Sequence, residues 1–229
     1  GLAAVPVFAA GFVWWQRRVA ARGGDPLLRL PLFADGRAGL EVAASGLVYA
    51  FQAALFLALS LYLQQTLHAT AAVTGLILAS LAAAYSVSSL LGRRLAERHG
   101  YGTRLACTLI ALAGIGVAIF DVRAGVSQPV LFVVPLVLIG AGTGLLMTSI
   151  TALVLSGAPA GATSRASGVL ATVQQFAVAL AVTITGLVLP AGGISVVLGL
   201  CAGALAAVFV TVAAATDKRA IGRSRIRDR

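Results

Sequence analysis

Two runs of 51 residues, 42–92 and 166–216, contain no Asp, Glu, Lys or Arg. A helix crosses a hydrocarbon core with about 20 apolar residues. Each run is therefore too long for one crossing and predicts two membrane helices joined by a tight turn. Turn signals sit near the middle of both: QQTLHAT at 64–70, which carries His68, and Pro190-Ala-Gly-Gly at 190–193. Only 10% of the chain is charged, against about 25% in soluble domains, and the mean hydropathy is +0.99. A chain with so little charge cannot cover a water-facing surface, so the lipid bilayer is its expected surrounding.

Hydropathy divides the rest accordingly. Residues 2–15 form a short first span, expected to be the end of a truncated helix, with Trp14 and Trp15 at the headgroup interface. Because the chain opens on Gly1 with an apolar segment already under way, it is expected to be the C-terminal part of a longer protein. Residues 17–37 read as a basic connector. Complete spans follow at about 42–63, 72–91, 105–120, 130–155, 169–189 and 194–215, and then a basic tail. The expected domains are 1–41, truncated helix and connector; 42–216, a six-helix half-bundle; and 217–229, the tail.

Orientation comes from the segment GRRLAERHGYGTR, 92–104, which holds five charged residues between two apolar spans. With this loop inside and the spans alternating, 16 of the 17 basic residues fall on one side and only Arg123 on the other. That bias predicts a cytoplasmic loop and a cytoplasmic C-terminus. The net charge of +10 is thereby explained by topology, and no nucleic-acid partner is expected. Arginine outnumbers lysine 16 to 1, a composition pointing to a bacterial plasma membrane. Cys107 and Cys201 lie in apolar runs without metal or disulfide spacing, and no metal or cofactor is expected.

The loop resembles the signature loop of the major facilitator superfamily, G-x-x-x-D-R-x-G-R. Gly92, Glu97, Arg98 and Gly100 stand for its glycine, acid, arginine and second glycine. Glutamate replaces the usual aspartate, one extra residue separates Gly92 from Glu97, and Arg104 lies three residues past the expected basic position. DPLLRLPLF, and the span ending SLYLQQ, are similar to the junction after the extra central helices of fourteen-helix drug:proton antiporters. GAGTGL with PAGATSRASGVLATVQQ resembles the twelfth helix and following loop of that group through Gly161, Ser167, Gly168, Thr172 and Gln175. Gln174 takes the place of an arginine there, and Ala177 and Ala181 of glycines.

The resemblance implies an all-α, polytopic transmembrane bundle: the C-terminal half of a major facilitator fold, about helices eight to fourteen. It also implies proton-coupled efflux of drugs or other small amphipathic compounds, with the missing N-terminal half, a small-molecule substrate and protons as partners. Gly92, Arg93, Glu97, Arg98, Gly100 and Arg104 would form a conformational gate, or alternatively only charges that set topology. Gly140, Gly142 and Gly144 give a helix face without side chains, suited to a close crossing.

Polar residues within spans are the candidates for lining a cavity: Tyr49, Gln52, Tyr85, Gln174 and Gln175, each of which could instead serve an interhelical hydrogen bond. Glu41 and Asp121 lie at span ends and read as interfacial. No carboxylate lies deep in a span, so the acid that proton coupling requires is expected in the missing half. Two other readings remain, a seven-helix receptor or a non-transporting scaffold. A retinal protein would need a lysine in its last helix, and the one lysine, Lys218, lies outside it. No nucleophile–base pair or phosphate loop is apparent, so the chain is not expected to be an enzyme.

Overall fold

A computed structural model describes residues 36–157 and 163–227, with side chains at 38–91, 102–157 and 163–213. The first expected span, most of the connector, and the side chains of Gly92, Arg93, Glu97, Arg98 and Gly100 lie outside the described residues. Four helices carry the fold: α1 Gly36–Leu61, α2 Ala71–Arg123, α3 Val133–Ser156 and α4 Thr163–Arg227. The described residues form a multi-pass, all-helical membrane bundle.

Two of the helices are longer than any single crossing. At about 1.5 Å per residue, the 53 residues of α2 would reach some 80 Å, against a hydrocarbon core of about 30 Å. Packing shows how α2 is accommodated. In its first arm, Ala71–Leu91, Leu81 and Ala84 lie against Gly140, and Tyr85 and Ser88 against Gly144. This arm therefore runs parallel to α3. In its second arm, Gly102–Arg123, Cys107 and Ala111 lie against Gly142, and Gly114 against Pro135 and Ile139. That arm runs antiparallel to α3. The chain thus reverses between Leu91 and Gly102, and α3 is held between the two arms.

In α4 the break is at Gly193, with φ 69° and ψ 176°, a conformation essentially confined to glycine. Expectation gave four residues, 190–193, to a turn; one residue suffices, because Pro190 stays helical and glycine alone provides the change of direction. The arm before it also begins earlier than the expected 169, at Thr163. Hydropathy marks only the lipid-facing part, and polar residues continue the helix past it. With the break at Gly193, the described residues form six helical arms: α1, two arms of α2, α3 and two arms of α4.

Ends and turns follow local chemistry. α1 widens into a π-turn at Tyr62–Thr66, where Leu67 N–H donates to Tyr62 O at 3.2 Å and Ala69 N–H to Leu63 O at 2.9 Å. His68, at φ 53°, takes the left-handed position that closes a helix end. Thr70 then caps α2, its Oγ1 accepting from Val73 N–H at 3.3 Å.

Two apolar clusters stack along the bundle. One holds Leu55, Leu63, Ile115, Phe132, Ile194 and Leu198, with the Tyr62 ring edge-on to Phe132 at 5.8 Å. The other, toward the 92–101 reversal, holds Val42, Val48, Cys107, Met147, Val154 and Val212. Exposed Leu76, Leu90, Phe120, Phe176 and Leu187 leave an apolar outer surface, as lipid contact requires.

Candidate functional site

Between the two apolar clusters, α1, the first arm of α2 and α3 meet at a glycine-rich crossing. A Cβ on Gly140 would collide with the Leu81 carbonyl oxygen, one on Gly142 with the Cys107 carbonyl, and one on Gly144 with the Tyr85 carbonyl and the Ser88 hydroxyl. Gly140 and Gly144 share one face of α3, and Gly142 lies on the opposite face. Backbone–backbone contact is thus made on both sides of α3, which only residues without side chains permit.

Polar side chains gather at this crossing. Gln52 Nε2 of α1 donates to Thr143 Oγ1 of α3 at 3.5 Å, and Thr143 donates in turn to Ile139 O at 2.7 Å. Ser88 Oγ donates to Tyr85 O at 3.0 Å and reaches Gly140 O of α3 at 3.4 Å. Tyr49 and Tyr85, both half-buried, pack on the same apolar cluster. Of the five cavity candidates, the structure brings three together: Tyr49, Gln52 and Tyr85. Gln174 and Gln175 lie on the first arm of α4, half-buried and exposed respectively. The adjoining Val173 meets Gly46 of α1 at 3.1 Å from an added Cβ.

Thr143 and Ser88 complete the group and were not singled out in the sequence. Ser88 stands three residues after Tyr85, on the same helix face, and that spacing was readable. Thr143 sits inside GAGTG, where the flanking glycines dominate the pattern and one hydroxyl gives no distinct signal.

Glu41 lies near the start of its span, and its carboxylate accepts from both terminal nitrogens of Arg104, with Nη1 to Oε1 at 2.8 Å and Nη2 on Oε2. The two side chains are 12% and 3% exposed. Arg104, grouped in the sequence with the gate loop, is buried within the bundle. Among the described residues no group of His, Cys, Asp and Glu could hold a metal ion.

The family model of the Major Facilitator Superfamily matches residues 42–228. The chain belongs to this superfamily. Two similar relatives, each called multidrug resistance protein Stp, come from Mycobacterium tuberculosis strains CDC 1551 / Oshkosh and ATCC 25618 / H37Rv. Each is 29% identical over 186 residues, covering 81% of this chain and 33% of the relative. The chain therefore spans about a third of the length of the curated relatives it matches. In this superfamily chain, α3 stands between both arms of α2, and the polar group sits where three crossings converge.

Proposed function

We propose that the chain forms the C-terminal part of a proton-coupled efflux transporter for small amphipathic, including cationic, compounds. The observation that carries this reading is the convergence of Tyr49, Gln52 and Tyr85 on a glycine-lined crossing inside an otherwise apolar bundle. Aromatic faces attract organic cations, and an amide supplies a donor and an acceptor. Three such groups near one crossing suit a ligand that is apolar over most of its surface and polar at one end. The multidrug names of the relatives support the same class.

In this proposal the fourteen-helix group supplies the frame. Residues 42–216 are the six-helix half and 217–229 the tail. Gln174 and Gln175 extend the cavity from α4, and Gly140, Gly142 and Gly144 form the seam on which the helices close. Gly92, Arg93, Glu97, Arg98 and Gly100 act as the gate. The half rocks against its missing counterpart around a midplane site, and the coupling acid lies in that counterpart. The 16-to-1 division of basic residues supports a bacterial inner membrane with the C-terminus in the cytoplasm.

Everted membrane vesicles carrying the full-length protein, loaded with an inward-acid gradient, test the function. Ethidium is expected to accumulate while the gradient stands and to leave when a proton carrier collapses it. Uptake indifferent to the gradient, for ethidium and other lipophilic cations alike, would overturn the proposal.

A further inference from the structure

Glu41 and Arg104 are separated by 63 positions and meet fork to fork. Their neighbours define the setting. Val42, beside Glu41, and Leu105 and Cys107, after Arg104, belong to the apolar cluster that also holds Val48, Leu146 and Val208. Thr108 donates its hydroxyl to Arg104 O at 2.9 Å, fixing the backbone turn that carries the guanidinium. The pair is thus enclosed by protein from α1, α2 and their neighbours, and little of either side chain meets the surroundings. A bidentate Arg–carboxylate pair fixes orientation as well as distance, and removing one partner from a buried pair strands a charge. Arg104 also stands directly after residues 92–101, the segment in which the chain reverses.

We propose that Glu41 and Arg104 form a standing tie within this half-bundle, anchoring the trailing end of the signature loop on α1. Arg104 is then a positioning residue and not one of the loop's switching charges. What the tie positions rests on the gate reading of that loop; the tie itself rests on geometry. Rocking of two halves moves each as a body, so a contact internal to one half stays closed in both access states. An arginine side chain 3% exposed, with both terminal nitrogens on one carboxylate, is built to hold and not to exchange.

The test uses the full-length protein in detergent, with Glu41→Gln, Arg104→Gln and the apolar pair Glu41→Leu/Arg104→Met. Each single change is expected to lower Tm by on the order of 10 °C, while the double change loses less than half of the summed shift. Unchanged Tm in either single variant, or losses that add, would overturn the tie. In vesicles, the apolar pair is expected to keep the parent's pH profile for gradient-driven ethidium transport. A profile displaced by about a unit or more would overturn it from the other side, by making Glu41 an acid that titrates in the cycle. Glu97→Gln with unimpaired transport removes the gate reading alone and leaves the non-additive Tm shifts standing.

Discussion

At the scale of single residues, the smallest side chains in α3 make the sharpest demand. Gly144→Ala would drive a methyl group into the Tyr85 carbonyl and the Ser88 hydroxyl, and neither backbone can retreat without opening the crossing. Overpacking of this kind costs about 1–3 kcal/mol, so Tm of the full-length protein in detergent should fall by several degrees. An unchanged Tm would mean that α2 and α3 do not touch there. The glycines and the in-span polar residues were legible in the sequence, because lipid-facing helices rarely carry unneeded amides or lose side chains along a stretch. The Glu41–Arg104 contact was not. Each residue sits near a span end, where charge is ordinary, and only tertiary packing brings positions 63 apart into one pair.

The helices themselves were largely written in the spacing of charge. Runs of 51 residues without Asp, Glu, Lys or Arg cannot be single crossings, and the described helices divide each into two. What the sequence left open was where helix ends and how sharply it turns. Backbone hydrogen bonds must be made internally throughout the hydrocarbon region, so helix persists through Thr163 to 168 and through Pro190, past the limits set by hydropathy. The turn in α4 narrows to Gly193, at φ 69°. An added Cβ there meets nothing within 4 Å, so any penalty of substitution belongs to the backbone alone. Gly193→Ala should cost about 1–3 kcal/mol. Gly199→Ala, in the following arm and equally open, should leave stability unchanged or slightly raised, since alanine is the better helix former. Calorimetry of the two variants compares them directly, and equal melting temperatures would contradict the break at Gly193.

At the scale of the whole described bundle, the two apolar clusters and the polar group between them form a layered plan along its length. Apolar packing holds both ends, while Tyr49, Gln52, Tyr85, Ser88 and Thr143 occupy the middle, where three crossings converge. This plan could not be read from the sequence, because it depends on which faces of α1, α2 and α3 meet. The relatives are about three times the length this chain covers, and a site at such a crossing is one that a second half can close over. The Gln52 to Thr143 bond, at 3.5 Å, is long, and interhelical bonds in membranes contribute only about 0.6 kcal/mol on average. Gln52 can therefore be changed with little loss of fold. Ethidium transport by full-length protein carrying Gln52→Ala, measured over a range of concentrations in everted vesicles, tests the central claim most directly. The account predicts KM raised several-fold with Tm and membrane abundance close to the parent's. Unchanged KM in a protein that folds normally would contradict it.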